Sequence, residues 1–380
     1  MTTAPIPAQE DGGATILEIG QQPDAWREVA AGPGDDAGAF LREVVSRPGL
    51  RVILTGAGSS AFAGTIVAPA LRRHLGRDGN GPRVEAIATT SIVAGPLDHL
   101  ERHTPTLLIS FGRSGNSPES LATTALADEL VDDIWHLILT CDREGELGRA
   151  HTGRANSLVV YMPERTNDTG FAMTSSLTSM MLSSLLMLGD TDARDVEALA
   201  QAAQHIIDSQ ADIRSLARAK KQRFVYLGSG PLVGLARESA LKLLELTAGE
   251  VATYFDSPLG FRHGPKSVLD SDTLALVFVS TDPYTRRYDL DMIAEIRAQL
   301  GTDSVVVLST EPIPDELGPA LVLPGLDGLD DSTVAVAYLV FAQYLALFTS
   351  LEYRKTPDNP FPAGEVSRVV QGVTIYPMAR

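Results

Sequence analysis

Short apolar runs alternate along this chain with longer segments in which apolar residues recur at helical spacing. The run TLLIS at 106–110, followed by LATTALADEL at 121–130, shows the pattern clearly. Short apolar runs bounded by turn residues are typical of buried strands, whereas the longer periodic segments are typical of amphipathic helices. Strands that alternate with helices predict an α/β fold with a parallel sheet flanked by helices.

The same unit occurs twice. The segments RVILTGAGSSAFAG at 51–64 and RFVYLGSGPLVGLA at 223–236 each combine a strand, a Gly-x-Gly turn and a helix. Aligning Gly56 with Gly228 gives an offset of 228 − 56 = 172, and the next strands align at an offset of 273 − 106 = 167. Two offsets this similar predict a duplicated domain.

This repeat sets the expected domain boundaries. We expect a disordered N-terminus at 1–14, a first domain at 15–194, and a second domain with its linker helix at 195–352. The linker is predicted as one long helix over 195–221. The tail at 353–380 is rich in Pro and Gly, and we expect it to wrap a surface.

Composition limits the possible partners and the compartment. The chain has 380 residues and a formal net charge of −17, so a nucleic-acid partner or an anionic membrane surface is not expected. The single cysteine, Cys141, excludes an intrachain disulfide and is predicted to lie in the core, which fits a cytoplasmic protein. The start has no signal-peptide pattern, the apolar stretch at 179–189 is too short to span a bilayer, and the histidines lack metal-ligand spacing.

Two strand-to-helix turns of the first half have the composition of an anion site. The turn FGRSGNSPES contains Arg113, Ser114 and Ser117, and the neighbouring GAGSS turn adds Ser59 and Ser60. Such turns direct backbone N–H groups at a ligand, and the hydroxyl and guanidinium groups add further donors. A phosphate monoester is the ligand that fits best, and its site must be locally positive. The second copy, VSTDPYTRRY, lacks this glycine and serine density, so we expect one such functional turn per chain.

The second half supplies candidates for chemistry. In the helix ESALKLLEL, Glu238, Lys242 and Glu245 share one face, and we interpret Glu238 and Lys242 as an exposed ion pair. Glu245 stands among leucines, so we expect partial burial to raise its pKa, as suits a general base. Further on, His263 lies in a Gly/Pro loop between Arg262 and Lys266, which makes this loop a second anion-attracting element.

Taken together, these motifs resemble the sugar isomerase (SIS) domain family, and the AgaS-type amino-sugar phosphate isomerase/deaminase branch most of all. The resemblance rests on GAGSSAFAG, SFGRSGNSPES, LGSGPLVGLARESALKLLE, SPLGFRHGPKS and DNPFPAGEVSRVVQGVTIYP. It implies a tandem of two doubly wound SIS domains, usually a homo-oligomer, that binds a sugar phosphate without a metal or redox cofactor.

By position, the resemblance also assigns roles to residues. It implies that Glu245 moves the proton between C1 and C2, and that His263 opens the sugar ring, often from a partner subunit. It implies phosphate contacts from Ser60, Arg113, Ser114 and Ser117. From their places in the turn, the helix and the loop, we add Ser59 to the predicted phosphate ligands and predict further substrate contacts from Lys242 and Arg262. Gln371 occupies the position of a tail lysine in the synthase branch, and no glutaminase domain is present, so the deaminating direction is more natural.

Three functions remain open from the sequence. The first is deamination of a hexosamine 6-phosphate to a ketose 6-phosphate after C2 proton abstraction. The second uses the same carbanion to expel the C3 hydroxyl of an N-acetylhexosamine 6-phosphate, which is a dehydration. The third is a non-catalytic phosphosugar sensor. A sensor of this kind would carry a basic helix-turn-helix domain, and the segment before residue 50 is too short and too acidic for one.

Overall fold

The computed structural model describes residues 13–32, 35–77, 79, 81–370 and 372–378 of the chain. Most of the segment predicted to be disordered, residues 1–12, lies outside this range, as does Gln371. The prediction is wrong for Gly13 and Ala14, which open the first helix. Their helix is fixed because the backbone N–H of Ala14 donates to the Asp358 carboxylate at 3.0 Å.

Within the described residues, strands and helices alternate through most of the chain. The first half contains α1 Gly13–Gly20, α2 Gln22–Ala30, α3 Asp35–Val45, β1 Arg51–Thr55, α4 Ser59–Leu75, β2 Arg83–Ala86, α5 Thr89–Ala94, α6 Pro96–His99, β3 Thr106–Gly112, α7 Pro118–Leu130, β4 Ile134–Thr140, α8 Glu146–His151, β5 Ser157–Tyr161 and α9 Ser175–Leu188. The second contains α10 Ala193–Asp208, α11 Gln210–Arg218, β6 Arg223–Gly228, α12 Pro231–Leu246, β7 Ala252–Asp256, α13 Pro258–Phe261, β8 Thr273–Phe278, α14 Thr285–Leu300, β9 Val305–Ser309, β10 Leu321–Val322 and α15 Asp331–Glu352.

The strands form two parallel five-stranded sheets of the same topology. The first has the order β2-β1-β3-β4-β5, and the second, read from its β7 edge, has the order β7-β6-β8-β9-β10. Replacing each strand of the first sheet by its counterpart five strands later gives the second order. The predicted α/β fold with two doubly wound domains is therefore confirmed.

The duplicated turns also agree in backbone conformation. Gly58 has φ 55° and ψ −128°, and Gly230 has φ 55° and ψ −124°. A positive φ of this kind is strained for any residue with a Cβ atom. The preceding glycines serve a different purpose, because a Cβ on Gly56 would lie 2.5 Å from Ser60 Cβ, and one on Gly228 would lie 2.6 Å from Leu232 Cβ.

A shared core joins the two halves. Helix α15 belongs to the second half by sequence, but it packs on α12, α10 and α11, and also on α4, α9 and α1 of the first half. It is long and apolar enough to cross a membrane by length and composition, and 94% of its apolar window is buried inside the protein. A helix buried in a protein core can have the same length and apolar composition as a membrane-spanning helix.

The linker differs from the predicted single helix over 195–221. It consists of α10 and α11, which meet at Ser209. Helix α10 begins earlier than predicted because the Asp192 side chain accepts from the N–H groups of Arg194 and Asp195, and Asp195 completes a capping box. At the break, the N–H of Ser209 is shared between two carbonyls of the preceding turn, which marks the end of a helix.

The two glycine turns yield a stability prediction. Gly56→Ala and Gly228→Ala should each destabilise the fold by about 1–3 kcal/mol, because the added methyl group overlaps with the first turn of the following helix. Gly13→Ala is the control, since its added Cβ would meet no atom of the described residues within 4 Å. Thermal unfolding of the three variants measures the effect, and a Gly56→Ala protein as stable as the control would contradict the packing described.

Candidate active site

A small pocket lies where β1 and β3 of the first sheet end. In this sheet the chain order reverses between these strands, and open α/β sheets bind ligands at such a point. The β1–α4 turn, the β3–α7 turn, helix α12 and tail residues 366–370 line the pocket, which has a volume of about 220 Å³. This volume lies just below the usual range for small-molecule sites, so it suits a small ligand and not a dinucleotide.

Most of the residues predicted for the site meet here. The pocket is lined by seven of them: Ser59, Ser60, Arg113, Ser114, Ser117, Lys242 and Glu245. Three lining side chains are cationic, namely Arg113, Lys242 and Arg368, and one is acidic, so the lining carries 3 − 1 = 2 net positive charges. A chain of net charge −17 thus presents a locally positive site, as an anionic ligand requires.

Helix α12 places a buried charge triad beside the pocket. Lys242 Nζ lies 2.5 Å from Glu245 Oε2 and 3.5 Å from Glu238 Oε1. The prediction of an exposed Glu238–Lys242 pair is wrong, because the Glu238 and Lys242 side chains are only 0% and 1% exposed. The i, i+4 spacing of such a pair is the same on an exposed and on a buried face, so the spacing alone could not show that α4 and α15 cover this one.

Glu238 is the member of the triad whose charged form is, on balance, disfavoured by burial. Burial raises its pKa to about 7, with a further contribution from the charge of Glu245, while Lys242 and Ser59 favour the ionised form. Neither carboxylate oxygen of Glu238 has a hydrogen-bond partner of normal geometry among the described residues. For Lys242, burial opposes the charged form, but the two carboxylates outweigh burial and its pKa is raised.

Glu245 faces the pocket from the last turn of α12. Its side chain is 26% exposed, so it is part-buried as predicted. The expected crowding by leucines is only partly found, since Leu244 is 41% exposed. The ammonium of Lys242, rather than apolar packing, is what holds the carboxylate in place. A carboxylate fixed at a pocket wall in this way can act on a bound ligand as a proton acceptor.

Arg113 has a structural role in addition to its predicted one. Its buried guanidinium donates from Nη1 to the carbonyls of Gly170 and Phe171, and from Nη2 to the carbonyl of Arg368 at 3.1 Å. Burial lowers its pKa, and the nearby Asp168 opposes that change. These contacts use part of the guanidinium's donor capacity, and they connect the tail to the β3–α7 turn. Phosphate binding by Arg113 stays a prediction.

The tail contributes a residue that the sequence did not reveal. Arg368 lines the pocket, and its Nη1 donates to the carbonyls of Asp168 and Thr169, both at 2.9 Å. The Asp168 carboxylate in turn accepts from the N–H of Thr174, the N-cap of α9, at 2.7 Å and from the N–H of Ser176 in its first turn at 2.9 Å. Neighbouring glycines and valines made this stretch of sequence resemble a surface tail, and its only signal was the extra cation.

The His263 loop does not reach this pocket in the single chain. His263 is exposed and is not among the pocket-lining residues of the described chain. Arg262 and Lys266 on either side both pair with Glu295 of α14, with Arg262 Nε 2.8 Å from Glu295 Oε2. The loop is thus fixed on the surface of the second half, and the predicted roles of His263 and Arg262 remain predictions.

Two other sequence-derived expectations have structural outcomes. Cys141 is buried, and burial raises the pKa of its thiol to about 12, as suits a core residue and not a nucleophile. Within the residues that the structure describes, no group of three or more His, Cys, Asp or Glu side chains could hold a metal ion.

The fold defines a class of protein, a tandem of two sugar isomerase domains. The SIS domain model matches residues 47–188 of the chain. A relative in Streptomyces coelicolor is 51% identical, with 99% of each chain covered. The chain therefore belongs to the SIS domain family.

Within that family, similarity points to the AgaS-type branch. The D-galactosamine-6-phosphate deaminase AgaS of Shewanella sp. (strain ANA-3) is 43% identical over 96% of this chain and 92% of its own. The crystal structure of tagatose-6-phosphate ketose/aldose isomerase from Escherichia coli superposes with a TM-score of 0.88 at 42% identity, covering 98% of this chain and 99% of that chain. The predicted AgaS-type membership is confirmed.

The buried triad generates a prediction about pH. Glu238 has a pKa of about 7 in the folded protein and an ordinary value of 4.5, so between these values the folded state binds more protons than the unfolded state. Its contribution to stability is therefore fully present below pH 4.5 and is lost as pH rises through 7, by roughly 3 kcal/mol at most. Glu238→Gln should remove this dependence.

Urea unfolding at pH 5 and pH 8 measures the difference between wild type and variant. The other titrating groups are common to both proteins, so they cancel in the comparison. Glu250→Gln is the matched control, because Glu250 is exposed and its ion pair with Lys355 lies at the surface. Parallel pH dependences of wild type and Glu238→Gln would contradict the assignment.

Proposed function

We propose that this chain is an amino-sugar phosphate isomerase/deaminase that converts a hexosamine 6-phosphate of the galactosamine type into a ketose 6-phosphate and ammonia. The observation that carries the proposal is the pocket of net positive charge that holds Glu245 and Lys242 opposite two serine-rich turns. The names of the relatives that match nearly the whole chain support the same substrate class.

The phosphate would lie between the two turns of the first half. Ser60, Ser114 and Ser117 present hydroxyl groups there, and helices α4 and α7 both begin at this edge, with their N-terminal N–H groups directed at it. Arg113 and Arg368 add positive charge, because their guanidinium groups donate to backbone carbonyls and not to a carboxylate that lines the pocket. Ser59 has a second neighbour in Glu238, so it also supports the triad.

The reacting carbons would then lie near Lys242 and Glu245. Once the ring has opened and C1 is an aldehyde, the Glu245 carboxylate takes the proton from C2 and returns it to C1. The C1 oxygen gains a proton and the C2 nitrogen loses one in this step, so the aldehyde becomes a hydroxymethyl group and the amine becomes an imine. Water then adds to the imine carbon, and the C2–N bond breaks to give the ketose and ammonia. Lys242 is charged and adjacent, so it can stabilise the developing oxyanion at C1.

Two other functions are less well supported. Dehydration of an N-acetylhexosamine 6-phosphate, a lyase reaction, needs the same base at C2 and differs from deamination in the group that leaves. A non-catalytic sensor would have no need to hold a carboxylate against a buried ammonium in the pocket wall. The relatives named deaminase and ketose/aldose isomerase favour the deaminating reaction. The cytoplasm remains the proposed location.

We also propose a homo-oligomer in which His263 comes from a partner subunit. His263 is held on the surface by a loop whose cations pair with Glu295, and this surface is rich in apolar side chains, with Phe255 and Leu259 both more than 40% exposed. The tail beside the pocket exposes Val366 and Val370 as well. Apolar side chains exposed on both elements suit a subunit contact that would bring the loop to the pocket.

The central test is a product assay. Incubation with galactosamine 6-phosphate should release ammonia and a ketose 6-phosphate, and Glu245→Gln should lower turnover by roughly a hundredfold or more because it keeps the shape but loses the base. Exchange of the C2 hydrogen with deuterated solvent should fall in parallel, while Glu250→Gln retains both activities. Wild-type exchange in Glu245→Gln would mean that another residue is the base.

N-acetylated substrate separates the two reactions. The deaminase proposal expects no unsaturated, ultraviolet-absorbing product from N-acetylgalactosamine 6-phosphate. Formation of that product, with no ammonia from the free amine, would replace deamination by dehydration while leaving the role of Glu245 intact.

The shared site is tested by mixing inactive chains. Glu245→Gln and His263→Ala proteins should each be inactive, but their hybrid oligomers should recover part of the activity, since some sites combine an intact carboxylate with an intact histidine. Native mass spectrometry establishes subunit exchange. Exchange without recovered activity would place both residues in one chain or remove His263 from the mechanism.

A further inference from the structure

The second half retains turns equivalent to those of the first-half pocket. By the offset of 172, Ser229 corresponds to Ala57, and by the offset of 167, Ser280 and Thr281 correspond to Arg113 and Ser114. The Gly230 backbone matches that of Gly58 within a few degrees. The second half therefore keeps the backbone conformation of the first of the two turns that line the first-half pocket.

Two carboxylates occupy the space in front of these turns. Asp289 of α14 accepts from Ser229 Oγ at 2.5 Å and from the N–H of Ser280 at 2.8 Å. Asp331, the first residue of α15, accepts from Ser280 Oγ at 2.6 Å and from the N–H of Thr281 at 2.7 Å. The hydroxyl of Thr281 adds a third contact to Asp331 at 3.1 Å. All of these donors are the hydroxyl and backbone N–H groups that would otherwise hold an oxyanion.

The first half differs from this arrangement at the equivalent positions. The counterpart of Asp289 is residue 289 − 167 = 122, which is Ala122, and the helix that corresponds to α15 begins with Ser175. An alanine and a serine provide no carboxylate. The first pocket is thus left open to an external anion, whereas Asp289 and Asp331 are both buried.

We propose that the second half contains an anion-binding cradle, formed by Ser229, Ser280 and Thr281, in which the carboxylates of Asp289 and Asp331 replace a phosphate. The inference rests on the proposed phosphate-binding role of the first-half turns. It explains why a duplicated chain has a single phosphosugar site. It also identifies a latent site for a phosphate monoester or inorganic phosphate, which opens when the two carboxylates are removed.

Electrostatic interactions explain why the cradle holds the two carboxylates and not a phosphate in the wild-type protein. Two neighbouring buried carboxylates repel an approaching dianion, so wild-type protein cannot bind phosphate here. Burial raises the pKa of Asp289 to about 6, and the hydrogen bonds from Ser229 and Ser280 oppose that change. Arg286, whose guanidinium donates to Ser309 Oγ at 2.9 Å, also favours the ionised form of Asp289 and would remain as a cation for a phosphate.

The test uses the full chain and inorganic phosphate. Asp289→Ala with Asp331→Asn reproduces the alanine of the first half and removes both charges, while the asparagine oxygen can still accept from Thr281. Ser114→Ala with Ser117→Ala is combined with this pair to weaken the first pocket. Calorimetric titration should show one phosphate bound per chain in the quadruple variant, and none in the Ser114→Ala/Ser117→Ala protein.

A folded quadruple variant that binds no phosphate would overturn the proposal. If that variant does not fold, the isosteric double variant Asp289→Asn/Asp331→Asn decides by thermal unfolding. Phosphate should then raise its melting temperature more than it raises that of wild type, with sodium chloride at equal ionic strength as control. An equal shift in both proteins would also overturn it. A Ser114→Ala/Ser117→Ala protein with normal KM for phosphosugar would instead contradict the first-half proposal, and the two failures are therefore distinct.

Discussion

The charge triad of Glu238, Lys242 and Glu245 is the interaction on which the site depends. A single buried ammonium holds two carboxylates on one helix, and removing it would leave an unpaired charge in the core, which typically costs several kcal/mol. Helix α12 belongs to the second half, yet it packs against α4, which carries the first turn of the pocket. The triad thus fixes the proposed base relative to a phosphate-type turn that lies in the other half of the chain.

Packing across the duplication explains how this geometry is maintained. Helix α15 contacts helices of both halves, so the two sheets cannot move apart without exposing a large apolar surface. The tail adds polar restraints at the pocket itself. Asp358 holds the start of α1, Arg368 holds the loop before α9, and Arg113 holds the carbonyl of Arg368. The pocket is therefore shaped by groups that lie far apart in sequence.

The sequence predicted those parts of the site whose chemistry is local. Gly56, Gly58 and the serines of both turns stand next to one another in the chain, so their composition indicated an anion site before any contact was known. The repeat predicted a duplicated domain, and the two sheets indeed have the same strand order. By contrast, the burial of Glu238 depends on α4 and α15, and helical spacing is the same for an exposed and a buried face.

The tail and the linker also have features that could not be predicted from the sequence, because they depend on distant contacts. Arg368 has its partners at Asp168 and Thr169, about two hundred positions away, and a stretch rich in valine and glycine gave no local sign of them. The break at Ser209 is likewise set by how α11 packs on α15 rather than by a proline or glycine in the linker. His263 was recognised from its motif, but a single chain contains no partner surface that could bring it to the pocket.

The two halves contribute different parts of the proposed site. The first half keeps open turns with hydroxyl and N–H donors, while the second keeps the helix with the charged triad and the histidine loop. An anion-binding turn left empty in the interior would contain unpaired donors, and unpaired buried N–H groups are destabilising. A half that no longer binds a ligand must therefore satisfy those donors from within, and carboxylates such as Asp289 and Asp331 do so at the cost of burying their own charge. Loss of the second site and gain of these two acidic residues are, in this view, two aspects of the same structural requirement.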